Sequence, residues 1–383
     1  MTDSDLLESS WRINPLLRLT PPGAMGDPHW AAVHLLRKKK LLLGKHGAAM
    51  CLMASDPVTG SELVDLIHRR SGADKHRLEE QLRGLIGQEA LIDADADCAW
   101  AEKLLTRWRD HGWIEAADHH LMTFDYDFFD YSTVGWKKDL EIMREYRAEQ
   151  PDLVRFKPPS PGSRTVRGPA TLTALSGLDA DFEASVRGPV TTRSLDRAAL
   201  LDLLASVFGV TMTVRGNDRY APPIRRTSPS GGSRHPSEGY VCVFDVPGLD
   251  AGWYHFSCGK NVLVRVAGLD SDEATAALYG AFRAGFPVGA VVVITSHFER
   301  NMYRYREPRT FRTLFMDVGH LLTTAELVAR SLGLALYGQH GIDDTYVEHV
   351  LGLNEFEEGV AYSIALGDGV AASALEGAAS HAS

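Results

Sequence analysis

Arg226-Thr227-Ser228-Pro229-Ser230-Gly231-Gly232-Ser233-Arg234-His235-Pro236 packs cations, hydroxyls and two glycines into a proline-bounded loop. Glycine lets backbone N–H groups approach a flat or anionic ligand, proline fixes the chain before binding, and arginine offers a rigid fork of donors. Pro, Ser and Gly also make ordinary surface turns, so the meaning of the loop depends on its surroundings. After it come Tyr240 to Val246, Gly252 to Phe256 and Asn261 to Val266, rich in Val, Tyr, Phe and Trp and separated by Pro-Gly and Cys-Gly turns. They predict adjacent antiparallel strands that carry the loop on a rigid sheet. Gly289 to Thr295 is an apolar run of strand length, and Thr310 to Leu332 repeats apolar residues at helical spacing. Between them, residues 300 to 309 are dense in cations and phenols.

This order of elements resembles the SagB-type dehydrogenases. The motifs that carry the resemblance are Arg226-x-x-Pro229-Ser230-Gly231-Gly232, Gly252-Trp253-Tyr254-His255, Arg309-Thr310-Phe311-Arg312 and Gly319-His320, within residues 185 to 369. The resemblance implies an α+β, nitroreductase-like FMN fold, an antiparallel central sheet flanked by helices. It also implies bound FMN, a homodimer with the flavin at the subunit interface, and a ribosomally made precursor peptide as substrate, with partner peptide-modifying enzymes. The expected reaction is dehydrogenation of azolines to azoles. Carried over residue by residue, Arg226, Pro229, Ser230, Gly231, Gly232, Ser233 and Arg312 become cofactor-binding candidates, and Tyr305 with Arg304 the catalytic ones.

The chain departs from the family pattern at two places. Relatives open the domain with consecutive arginines for the FMN phosphate, whereas the stretch here is Pro189-Val190-Thr191-Thr192-Arg193-Ser194, leaving Arg187 and Arg193 as substitutes. Azoline oxidases carry a Lys-Tyr pair where this chain has Arg304-Tyr305. A desolvated lysine can act as a base and an arginine effectively never does. A second direction therefore stays open, in which NAD(P)H visits transiently and the flavin reduces dehydroalanine or dehydrobutyrine to a D-residue. A third is a non-catalytic scaffold for a peptide-modifying complex.

Length and composition bound the alternatives. The 383 residues suffice for two or three domains, and 44% hydrophobic with 23% charged residues is ordinary for a globular protein. A formal net charge of −10 argues against general nucleic-acid binding, which needs surplus Lys and Arg. Cys51, Cys98, Cys242 and Cys258 show no C-x-x-C spacing and predict free buried thiols in a reducing cytoplasm. No H-E-x-x-H or paired C-x-x-C suggests a metal, no G-x-G-x-x-G follows a strand, and no apolar run reaches membrane-spanning length. The acidic start Met1-Thr2-Asp3-Ser4-Asp5 does not read as a signal peptide. His320 falls on an amphipathic helix, where a core histidine is the commoner outcome.

The first 120 residues form a separate domain. Thr59-Gly60-Ser61-Glu62 reads as a helix start, and a second amphipathic segment holds Leu78, Leu82, Leu85 and Ile86. With strand-like pieces at Ala90 to Ile92 and Trp113 to Glu115, this predicts a winged-helix-like unit that binds a leader peptide at a sheet edge. Arg37-Lys38-Lys39-Lys40 reads as a solvated element end. Residues 121 to 184 read as an aromatic and Pro-rich linker or arm, with the rings of Phe124 to Tyr131 expected inside. Residues 370 to 383 read as a disordered tail.

Overall fold

The computed structural model describes residues 3–23, 28–150, 155–159, 162–169, 192–213 and 224–369. It divides into two compact units, Met1–Asp127 and Phe128–Ser383. Arg187 and the 370–383 tail lie outside the described residues.

The first unit holds α1 (Asp3–Glu8), β1 (Ser10–Ile13), β2 (Leu17–Thr20), β3 (Trp30–His34), β4 (Lys39–Leu43), α2 (Lys45–Met53), β5 (Val58–Thr59), α3 (Gly60–Ser71), α4 (Lys75–Gly87), β6 (Leu91–Asp93), α5 (Ala99–Asp110) and α6 (Ile114–Thr123). The predicted helix start at Thr59 is a capping box: the hydroxyl accepts the Glu62 N–H at 3.2 Å while the Glu62 carboxylate accepts the Thr59 N–H at 3.0 Å. Gly72, left-handed at φ +69°, ends α3, and Asp74 caps α4. Leu63, Ile67, Leu78, Leu82 and Leu85 then bury one apolar stripe per helix in a shared core. Strands form two sheets, β5-β1-β6 and β2-β3-β4.

Trp113 to Glu115 is not a strand. Ile114 opens α6, and Trp108 meets Trp113 edge-on at 5.9 Å, so the aromatic run turns the chain between α5 and α6 instead of pairing it. The rings of the 124–131 segment are also not inside, Phe128 being 75% exposed. Asp130, bonded to Ser132 and Thr133, holds its end in a tight turn that points them outward.

The second unit begins with α7 (Gly135–Glu149), which stands within the stretch expected as a linker, and β7 (Thr165–Arg167). It continues through α8 (Arg197–Phe208), β8 (Val210–Thr213), β9 (Ile224–Arg226), β10 (Ser237–Val243), β11 (Gly252–Ser257), β12 (Val262–Ala267), α9 (Ser271–Ala277), β13 (Val288–His297), α10 (Glu299–Met302), α11 (Phe311–Leu332), β14 (Ala335–Gln339), α12 (Asp344–Leu351) and β15 (Glu358–Gly367). Seven strands make one antiparallel sheet in the order β14-β15-β13-β10-β11-β12-β7. Side chains alternate between its faces. Val241, Val243, Val292 and Ile294 pack against α8 and α11, whereas Tyr240, Cys242, Val291 and Val293 pack in a second core with α9 and α12. Helices on both faces explain why the strands read as continuous apolar runs. The α+β class, central antiparallel sheet and long helix follow the sequence expectation. Among the described residues no helix is long and apolar enough to cross a membrane, and Cys51, Cys242 and Cys258 are free and buried.

Candidate functional site

The glycine loop runs along α11 and is fastened to it. Ser230 donates its hydroxyl to Asp317 Oδ2 at 2.6 Å and accepts the His235 N–H at 2.8 Å, while the Gly231 N–H reaches Asp317 Oδ1 at 3.1 Å. Ser228 donates to the Thr324 hydroxyl at 2.8 Å, about two turns further along the same helix. Burial raises the Asp317 carboxyl, and the bonds from Ser230 and Gly231 work in the opposite direction. Within four residues the loop adopts left-handed backbone at Gly232, Ser233 and His235, with φ of 57°, 53° and 50°. Such geometry in non-glycine residues stores strain and persists only where neighbours impose it.

Gly232 is where the loop meets Tyr305. A Cβ there would stand 2.0 Å from the Tyr305 hydroxyl, so only glycine admits the phenol. Tyr305 also lines a mostly apolar cavity of about 650 Å³ with Phe298, Met302, Tyr303, Phe311 and Phe356. Arg304 does not face this cavity as a free cation. Its Nη1 and Nη2 bond both carboxylate oxygens of Asp139 on α7 at 2.6 Å each, and its guanidinium lies 5.2 Å from the Tyr305 ring. Burial opposes the Arg304 charge, but Asp139 outweighs it and raises the group further. Arg304 is therefore a fixed cation that props Tyr305.

The remaining candidates divide by position. Arg226 lies 7% exposed beneath the loop, donating to the Ser237 carbonyl and the Cys258 sulfur at 3.1 Å each, so it braces the loop's stem. Pro229 and Gly232 are exposed. Arg312 occupies the first turn of α11, whereas the backbone N–H of Arg193 donates to the carbonyl of Gly333 beyond its last turn. A 22-residue helix is roughly 33 Å long at 1.5 Å per residue, so within one subunit these two arginines cannot hold one phosphate. Ser230 and Gly231 give their protons to Asp317, and among the described residues no bond engages the Gly232 N–H, the Ser233 hydroxyl or the terminal nitrogens of Arg234. A glycine cradle with this donor set fits the edge of a flat heterocycle carrying carbonyl oxygens.

Sequence reasoning overlooked two groups. Asp317 sits on the buried stripe of α11 between Leu314 and Leu321, and a carboxylate at a core position was the available signal. Glu238, in an all-buried strand, accepts from His255 Nε2 at 2.8 Å and pairs with Arg300, whose Nη1 reaches the His235 carbonyl at 3.2 Å. This buried network ties the end of the loop to the sheet. His320 is not in the core: its side chain is 47% exposed, 4.0 Å from Asp317.

His235 gives the site a pH signature. Burial, with Arg226 beside it, pushes the imidazole down to about 4. The unfolded chain then takes a proton before the folded one, so stability is full above the ordinary value of about 6.5 and declines as pH falls toward about 4. A series of melting temperatures across that window is expected to fall with acid, with a shallower slope for His235→Asn; parallel slopes would exclude His235 as the source.

The nitroreductase family profile matches residues 184–368. The trifolitoxin-processing protein TfxB of Rhizobium leguminosarum bv. trifolii is 30% identical over 257 residues, covering 64% of this chain and 68% of that protein. The microcin B17-processing protein McbC of Escherichia coli is 30% identical over 138 residues, covering 34% of this chain and 50% of McbC. Among solved structures, a nitroreductase-type protein of Anabaena variabilis aligns with TM-score 0.46 and 21% identity over 67% of this chain, which spans just 46% of that one. The E. coli microcin synthetase McbBCD complex with truncated pro-MccB17 aligns with TM-score 0.39 and 21% identity, over 61% of this chain and 93% of the matched one. The helix-flanked antiparallel sheet and its glycine loop thus define an oxidoreductase of the flavoprotein class. The chain belongs to the nitroreductase family.

Proposed function

We propose that the protein is an FMN-dependent oxidoreductase that dehydrogenates azoline rings to azoles in a ribosomally made precursor peptide. The observation that carries this reading is Tyr305, wedged against Gly232 of the glycine loop at the wall of an apolar cavity of about 650 Å³. That volume suits a small heterocycle with its flanking side chains. The named roles of TfxB and McbC in processing trifolitoxin and microcin B17 support a peptide substrate. The Gly232 N–H, Ser233 and Arg234 would hold the edge of FMN, which when bound accepts or delivers a hydride. Tyr305 positions the substrate and manages its proton, and the apolar wall excludes water. The N-terminal unit is assigned to capture of the precursor as a winged-helix-like element.

The partner subunit is a second copy. Phe311, Phe315 and Met316 form an exposed apolar stripe on α11, 45%, 56% and 58% accessible, leading to the exposed Gly319. A patch of this kind marks a contact surface.

One observation favours the reductive reading. With Arg304 locked to Asp139, the chain lacks a lysine-like base here, and a tyrosine serves equally to donate a proton after hydride delivery from a flavin reduced by NAD(P)H. Mass spectrometry of incubated candidate peptides separates the two. Loss of two mass units per ring supports oxidation, and gain of two per dehydro residue supports reduction. Purified protein is expected to be yellow and to release close to one FMN per subunit on denaturation. Colourless protein that cannot be reconstituted with FMN would refute both.

A further inference from the structure

Residues 155 to 159 lie as a strap against the sheet of the second unit. Lys157 fastens it: Nζ donates to the Tyr240 hydroxyl at 2.6 Å and to the Glu358 carboxylate at 2.8 Å, and the Lys157 carbonyl accepts from the Ser257 hydroxyl at 3.2 Å. The Phe156 ring covers Gly259, where a Cβ would stand 2.8 Å from it, and packs against the core shared with α8 and α11. These anchors set the position of Arg155, one residue before them. The strap lies outside residues 184–368, the part matched by the nitroreductase profile.

Arg155 meets Arg234 at a small cleft walled by these two residues with Ile224, Ser233 and Arg300. Its volume is about 10 Å³, room for a single oxygen atom and not for a whole phosphate or carboxylate group. None of the residues lining it is acidic, and Arg300 is already paired with Glu238. Burial lowers Arg155 from its ordinary value and the charge of Arg234 lowers it further; burial lowers Arg234 as well. Two half-buried like charges are relieved by negative charge placed between them. Ser233 and Arg234 belong both to this cleft and to the donor set of the glycine cradle, so cleft and cradle share a wall.

We propose that Arg155 is a potential-tuning residue: with Arg234 and the Ser233 hydroxyl it receives the one ring oxygen on which negative charge gathers when bound FMN is reduced, and so favours taking hydride from substrate over giving it back. The inference rests on the reading that the glycine loop holds FMN, and deepens it by choosing the oxidative direction. In that direction a hydride leaves the azoline ring for the cofactor, a proton leaves the ring through Tyr305, and dioxygen afterwards removes the two electrons and, with a second proton, leaves as hydrogen peroxide. Fixed positive charge beside the ring oxygen stabilises the state that follows hydride arrival more than the state before it. The strap thus has a chemical role: its anchors at Phe156 and Lys157 hold a cation that the matched domain does not itself contain.

The test needs no peptide substrate. Full-length flavin-loaded protein is equilibrated with a reference redox dye, and its reduction equilibrium is compared with those of Arg155→Gln and Arg155→Lys at one pH. Arg155→Gln is expected to shift the equilibrium toward the oxidised form by about tenfold or more, about 30 mV for a two-electron couple. Arg155→Lys keeps the charge and should stay within about threefold of the parent. Affinity for sulfite, which rises with positive charge at the same edge of an oxidised flavin, should fall by about tenfold in Arg155→Gln alone. Melting temperature and flavin content show that each variant is folded and loaded. A parental equilibrium and parental sulfite affinity in Arg155→Gln would overturn the proposal. So would loss of the flavin from Arg155→Gln, which would make the arginine a holder of the cofactor and not a tuner of it. Parent protein that is colourless and cannot be reconstituted would sink the flavin reading before any variant is made, whereas yellow variants with the parent's potential would sink this inference alone.

Discussion

Tyr305→Phe is expected to lower turnover by about 10²- to 10⁴-fold, the range for a positioned acid or base, while bound flavin is retained. The phenol touches the loop at Gly232 and the cavity wall, so deleting its hydroxyl removes the proton carrier without opening a gap. Arg304→Lys keeps the positive charge but gives up the two-pronged bond to Asp139. Its turnover is expected to stay within about tenfold of the parent, because that arginine props the phenol and does not exchange protons. The measurement is single-turnover rate on whichever peptide mass spectrometry identifies, beside flavin stoichiometry. Unchanged turnover in Tyr305→Phe would remove the residue from the chemistry and return the segment to a cationic, aromatic lip of the cleft.

Glu238→Ala is expected to cost about 3–5 kcal/mol of folding stability, since it breaks the buried ion pair with Arg300. Glu238 and Arg300 are each 1% exposed, so water cannot take over the missing role. Burial alone would raise the Glu238 carboxyl, but the His255 hydrogen bond and the charge of Arg300 hold it down at about 2. Its contribution is therefore present above about 4.3, the unfolded value, and disappears as pH falls toward about 2. Denaturant titration of the variant checks the prediction. A double change, Glu238→Leu with Arg300→Met, should recover much of the loss, because an apolar pair leaves no orphan charge. A single mutant as stable as the parent would show that solvent or a rearranged partner reaches Arg300.

The elements that local periodicity specifies were legible in the sequence. The meander from Tyr240 to Val266, the apolar strand at Gly289 to Thr295 and the helix from Thr310 all fall where alternation or helical spacing put them. The Thr59 to Glu62 capping box was legible for the same reason, since its two partners are three residues apart. What stayed hidden depends on distance along the chain. Asp317 grips a loop 86 residues away, and Arg300 reaches Glu238 across 62. No window of sequence contains both members of either pair. Gly232 and Tyr305, singled out in separate stretches of sequence, lie against each other, but the bonds redistribute the parts: Ser230 and Arg226 brace, Arg304 props, and Arg234 enters from a position given no role.

The order of strands in the larger sheet also bears on how the chain is made. β15 comes last of the seven along the chain, yet it lies between β14 and β13 and pairs with both. Until the ribosome has delivered Glu358 to Gly367, β13 and β14 each present a bare apolar edge with nothing beside it. Such nascent edges are where other unfinished chains attach. The first unit, complete by Asp127, can fold long before then. A message truncated upstream of codon 358 would therefore yield a folded N-terminal unit attached to a sticky half-sheet, a product suited to aggregation and proteolytic clearance.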